Sequence, residues 1–175
     1  MTEKRKQRMK TRNVILLLLL IAAAYACFLP LPRSIHVTHS AVAWRNCDDA
    51  STPTSVTMDG IYFDYLFRED YFDGAITVSG FLETFKPLPR VTFHDGMGML
   101  FYQGEQGLLE PMFGWIIPSP DGSAFTIGVH NEHGWSADTG LNITGPADNR
   151  YEAVQLANKL CQRYHPSFLG TWTFE

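Results

Sequence analysis

The sequence predicts a mainly β protein: an antiparallel meander (open sheet, sandwich or barrel) with one C-terminal amphipathic helix, behind an N-terminal membrane helix. Three observations lead there. A basic cluster precedes an uncharged apolar run. Short stretches rich in β-branched and aromatic residues alternate with Gly, Pro and Asp turn chemistry, the pattern of antiparallel strands. A single window near the C-terminus shows helical periodicity.

The first element is the apolar run. Lys4, Arg5, Lys6, Arg8, Lys10 and Arg12 stand before Val14–Leu29 (VILLLLLIAAAYACFL). Such a cluster holds the N-terminus in the cytoplasm and sends the following chain across the membrane. Sixteen residues span about 24 Å at 1.5 Å rise, against a hydrocarbon core of roughly 30 Å. Asn13 and Leu31 can extend the span, and Pro30 and Pro32 end it. The segmentation is therefore a basic cytoplasmic stretch at 1–12, a transmembrane or signal-anchor helix at 13–32, and an extracytoplasmic β-rich domain at 33–175. The rival is a removable signal peptide cut after Ala24-Tyr25-Ala26. That would leave Cys27 at the position of a lipidated cysteine, although Ala24-Tyr25 matches a lipobox poorly.

Strands follow in order. The first contains His36 and His39. Thr54–Met58 and Ile61–Phe67 flank Asp59-Gly60, which predicts a hairpin turn there, since Asp-Gly accepts φ > 0 at both positions. Ala75–Leu82 is entered through Asp73-Gly74. Val91–Phe93 turns at Asp95-Gly96 into Met97–Gln103. Met112–Ile117 is joined by Pro118-Ser119-Pro120-Asp121-Gly122 to Ala124–His130.

The helix spans about Arg150 to Tyr164. Ala153, Val154, Leu156, Ala157, Leu160, Cys161 and Tyr164 share one face. Asn149 and Glu152 form a capping-box pattern, and Pro166 lies past the end. Gly170–Phe174 reads as a final strand. This order of elements resembles a lipocalin-like barrel. The lipocalin Gly-x-Trp signature is absent, since Trp44 follows Val42-Ala43, so open sheet and sandwich stay equal alternatives.

Charge separates the two sides of the membrane. Residues 1–12 hold six basic and one acidic residue, and residues 13–175 hold eight basic and seventeen acidic, a net charge of −9. With no basic stripe, the outer domain is unsuited to nucleic acid or anionic headgroups.

Candidate chemistry is sparse. His130 and His133, with Glu132 or Asp138 nearby, have the ligand types for a divalent metal and open water position. The zinc-hydrolase order His-Glu-x-x-His is missing, and a solvated loop is the competing account. Cys47 and Cys161 can pair outside the cytoplasm, closing a loop of about 114 residues worth about 4–5 kcal/mol; two free thiols are the alternative. Asp48 and Asp49 disfavour a thiolate at Cys47, so it is not a nucleophile. His94-Asp95 has the form of a base and its orienter, but no Gly-x-Ser-x-Gly elbow supplies a serine. Glu69, Asp70 and Asp73 lack the spacing of a calcium loop. Aromatics crowd 62–72, and Tyr62, Tyr65 and Trp135 are the candidate ligand-binding rings, with core packing as the alternative. Asn142-Ile143-Thr144 is a glycosylation sequon.

No motif identifies a catalytic residue or calls for a cofactor. The expected function is that of a membrane-anchored extracytoplasmic domain that binds an envelope protein or glycan beside the bilayer. A metal-dependent hydrolase built on His130 and His133 is the alternative. A third reading makes the apolar helix itself a specific contact within a membrane complex.

Overall fold

Eight antiparallel strands in chain order close into one barrel in the computed structural model, which describes residues 13–18, 20, 29–104, 107–164 and 174. The strands are β1 (Leu31–Arg45), β2 (Asp48–Asp64), β3 (Asp70–Val78), β4 (Val91–His94), β5 (Met97–Leu100), β6 (Gly114–Pro118), β7 (Phe125–Val129) and β8 (Leu141–Gly145). One helix, α1 (Arg150–Tyr164), follows. Of the predicted architectures, the closed barrel is the one adopted, and β8 pairs with β1 to complete it (Val42 opposite Thr144).

The chain divides into two units: residues up to Leu31 with Tyr65–Arg68, and Pro32–Asp64 with Glu69–Glu175. In the first, residues 13–18 and 20 are helical. Among the described residues no helix is long and apolar enough to cross a membrane. The predicted basic segment 1–12, residues 21–28 with Cys27, and the predicted last strand except Phe174 lie outside the described residues.

The barrel interior is filled with side chains. Strand alternation sends Val56, Met58 and Tyr62 of β2, Phe72, Ile76 and Val78 of β3, and Phe125, Ile127 and Val129 of β7 into one buried cluster. A second apolar layer lies outside the barrel. There Val154, Ala157, Leu160 and Cys161 of α1 cover Trp44, Trp115 and Ile117. Strands β6 and β7 are therefore buried on both faces, unlike the half-exposed β1. Beneath the helix, Trp44 Nε1 donates to Thr144 Oγ1 at 3.1 Å, and Thr144 bonds Thr126 at 2.9 Å, satisfying buried hydroxyls.

The predicted turn at Asp95-Gly96 forms, with positive φ at both residues (48° and 80°). The predicted hairpin at Asp59-Gly60 does not. Both residues lie inside the unbroken strand β2, with Asp59 opposite Ala75 and Gly60 opposite Gly74 on β3. The glycines serve close packing rather than a turn: an added Cβ at Gly60 would stand 2.8 Å from the Phe72 ring and 2.7 Å from Gly74 Cα. An aromatic ring laid over strand glycines is a known device of barrels. The chain turns instead at Asn46-Cys47 and in the loop after Asp64.

The helix has its predicted boundaries. Asn149 Oδ1 accepts the Glu152 N–H at 3.0 Å, and the Glu152 carboxylate accepts the Asp148 N–H at 3.0 Å, so the cap works in both directions.

Candidate functional site

Antiparallel alternation places the β1–β2, β3–β4, β5–β6 and β7–β8 connections at one end of the barrel. The β4–β5 and β6–β7 connections occupy the opposite end. The first end carries several strongly exposed apolar groups, while in the other unit the β2–β3 loop carries Leu66 (66% exposed) and Phe67 (68%). Leu82 (83% exposed), Leu108 (69%), Phe85 (65%) and Leu109 (61%) are, with Tyr151, the barrel unit's large apolar side chains beyond 60% exposure among the described residues. These four lie in pairs on two loops, Leu82 and Phe85 in the β3–β4 connection and Leu108 and Leu109 in the β5–β6 connection.

Their presentation is built, not incidental. The β3–β4 connection forms a 3-10 turn, Leu82–Phe85, pinned by the buried Thr84. Thr84 Oγ1 accepts the Val78 N–H at 2.9 Å and donates to the Phe81 carbonyl at 2.7 Å. With Thr84 turned inward, Leu82 and Phe85 are left outside. In the β5–β6 connection, the buried Tyr102 donates its hydroxyl to the Ile76 carbonyl at 2.6 Å. The Glu110 N–H returns to the Tyr102 carbonyl at 2.9 Å, and the Gly104 N–H reaches the Leu108 carbonyl at 2.8 Å. Gln103 and Gly104 thus pair with Leu109 and Leu108, whose side chains stay exposed. The two loops are joined: Gln103 N–H donates to the Pro87 carbonyl at 2.8 Å, and Lys86 pairs with Glu110. Between them lies a cleft of about 240 Å³ lined by Glu83, Tyr102, Glu110, Met112, Phe113 and His130. Burial pushes His130 below the usual imidazole range, favouring its neutral form.

Reading residues in order did not single out this rim. The sequence puts Leu82 at the end of a strand Ala75–Leu82, whereas β3 stops at Val78 and Leu82 opens the following turn; Phe85, Leu108 and Leu109 are large apolar residues inside segments framed by Gly80, Pro87, Gly104 and Pro111. Apolar groups within turn chemistry have no strand or helix face to bury them.

The residues singled out from sequence are placed otherwise. Tyr62 is buried in the barrel, stacked on Phe93 at 5.3 Å, and donates to Asp70 at 2.9 Å. Burial raises its phenol pKa, with Asp70 adding to the effect. It is a core residue, not a ligand platform. Tyr65 lies in the β2–β3 loop, in the first unit. Trp135 meets Trp115 edge-on at 4.9 Å and donates Nε1 to Asn142 at 3.2 Å. Both rings of that pair cover the outside of the barrel. His130, Glu132 and His133 do not gather: His130 lines the cleft, while Glu132 and His133 are exposed in the turn closed by Asn131 and Gly134. Among the described residues, no three His, Cys, Asp or Glu side chains converge as metal ligands would. Cys47 is an exposed free thiol and Cys161 a buried one, so the expected disulfide is not formed. Asn142 is fully buried, which closes the sequon to glycosylation in the folded domain.

Two further polar sites stand apart from the rim. A cleft of about 420 Å³ lies between α1 and the β6–β7 turn, with Arg33, Asp64, Asp121, Lys159 and Arg163 on its walls. Arg33 and Asp64 pair at 3.1 Å. Hydrogen bonds from Ser123 and Ser119 lower the Asp121 carboxyl to about 2. On the outside of β1, Ser34 Oγ bonds His36 Nε2 at 2.7 Å, and His36 Nδ1 bonds Asp59 Oδ1 at 2.5 Å. The connectivity is that of a serine-hydrolase relay. However, His36 and Asp59 are 66% and 64% exposed. With Thr38 bonded to Thr57 at 2.8 Å, the set forms a cross-strand polar ladder. His94 bonds Glu69 at 2.7 Å, so its orienting carboxylate is not the Asp95 beside it.

The class defined by fold and site is a side-chain-filled, eight-stranded antiparallel barrel with a helix on its outer face and an apolar rim at one end. No protein-family model, curated protein or solved structure matches the chain.

Proposed function

We propose that this chain is a single-pass, membrane-anchored contact module whose extracytoplasmic barrel binds a partner protein of the envelope through its apolar rim. The basic cluster and the apolar run Val14–Leu29 support the anchor and the orientation. The packed interior supports surface contact over carriage of a ligand inside the barrel. One observation carries the reading: Leu82, Phe85, Leu108 and Leu109 are held out in solvent by loops whose own backbones are hydrogen-bonded and tied together. A chain that incurs the cost of ordering exposed apolar groups gains from it when a partner covers them.

The test is site-specific photocrosslinking from Leu82 and Leu109 in the full chain, in its native membrane. A discrete adduct, lost in the Leu109→Asp variant and absent from a probe at the strand position Thr57, is the expected result. Equal adducts from all three positions, or none from the rim, would overturn the proposal. Membrane extraction by alkali tests the anchor separately: release of the chain would sink it.

A further inference from the structure

We infer that the rim receives a basic, apolar segment of its partner protein, one large apolar side chain entering the cleft between Glu83 and Glu110. This rests on the contact-module reading above. The cleft, at about 240 Å³, falls below the roughly 300–1,000 Å³ of sites for drug-sized molecules. It suits a single side chain. Tyr102, Met112 and Phe113 provide its apolar walls, and a methionine adapts its shape to what enters. The neutral form favoured at His130 keeps that wall free of charge.

The surrounding charge selects the partner's sign. Asp48, Asp49, Glu83, Glu110, Glu132 and Asp138 lie on the turn and loops of this end, in or beside the connections just described. Arg45, Lys86 and Arg150 oppose them. Lys86 is already engaged by Glu110, and Arg150 donates to the Arg45 and Asp48 carbonyls. The end is therefore negative, within a domain that is itself negative. An acidic partner or an anionic bilayer surface is repelled, while lysine or arginine flanking an apolar anchor meets Glu83 on the cleft wall. Apolar groups around the cleft then exclude water from the anchor.

The experiment uses the full chain in phosphatidylcholine nanodiscs and three synthetic peptides. One combines Leu and Trp with Lys, the second replaces Lys with Glu, and the third replaces Leu and Trp with Ser. Binding is read by fluorescence anisotropy. The Lys peptide is expected to bind, and the other two to bind at least about tenfold more weakly. Glu83→Gln, which leaves the Lys86–Glu110 tie intact, is expected to weaken the Lys peptide up to about fivefold, by loss of one surface charge pair. Added salt acts in the same direction. If Leu109→Asp abolishes binding while the Gln variant and the Glu peptide behave like their counterparts, the rim docks partners without regard to charge. The inference then fails and the contact-module reading stands. If Leu109→Asp also leaves binding unchanged, or no peptide binds, both fail. Circular dichroism of each variant separates loss of binding from loss of fold.

Discussion

Gly60 and Gly74 face each other across β2 and β3, and the ring of Phe72 lies over both. At Gly60 an added Cβ would stand 2.7 Å from Gly74 Cα, and at Gly74 it would stand 2.9 Å from the Phe72 ring. The backbone must move to admit it. Gly60→Ala and Gly74→Ala are each expected to destabilise the barrel by about 1–3 kcal/mol, the range for overpacking a filled core. Chemical denaturation of the full chain in detergent measures this. A loss below about 0.5 kcal/mol would show that the strands separate freely at this point.

The two described cysteines differ in reactivity. Cys47 is exposed, whereas burial pushes the Cys161 thiol up to about 12. Maleimide labelling of the native protein, mapped by mass spectrometry, is expected to modify Cys47 and to reach Cys161 only after unfolding. Labelling of both at equal rates would mean that α1 detaches readily from the barrel.

Two ionisable groups predict opposite pH behaviour. Hydrogen bonding to Glu69 raises the His94 imidazole above its usual range, with the charges of Asp95 and Glu69 adding to the effect. The stabilisation accompanying protonation is thus present below the unfolded pKa and lost as pH rises through the folded one. The Asp121 carboxyl is lowered to about 2, chiefly by the Ser123 hydroxyl. Its contribution is present above the unfolded carboxylate value and lost as pH falls toward 2. NMR titration should show Glu69→Gln lowering the His94 pKa and Ser123→Ala raising that of Asp121. Unmoved titrations in both variants would refute these assignments.

The relay Ser34–His36–Asp59 is expected to be chemically quiet. Water competes for each of its exposed groups. Fluorophosphonate probes should leave Ser34 unmodified, and Ser34→Ala should change stability by less than about 0.5 kcal/mol. Labelling abolished by Asp59→Asn would instead establish a working nucleophile.

Sequence alone determined the elements whose causes are local. The bounds of α1 follow from one apolar face, the Asn149 cap and the following Pro166, all readable within a few turns of chain. Likewise Asp95-Gly96 turns because two adjacent residues accept positive φ. Asp59-Gly60 carries the same dipeptide signal and does not turn. The difference is nonlocal: Gly74, on another strand, and the Phe72 ring hold Gly60 in extended pairing.

Only tertiary structure decided the closure of the sheet, since pairing of β8 with β1 joins residues about 100 positions apart, as in Trp44 and Thr144. It also decided the fate of the aromatic cluster. Alternation gives Tyr62 a face, but it does not say that this face is the inside of a barrel. The rim had the same obstacle in reverse. Leu82 and Leu109 lie on loops tied together by the Gln103–Pro87 hydrogen bond and the Lys86–Glu110 pair, and no periodicity within either loop encodes that meeting.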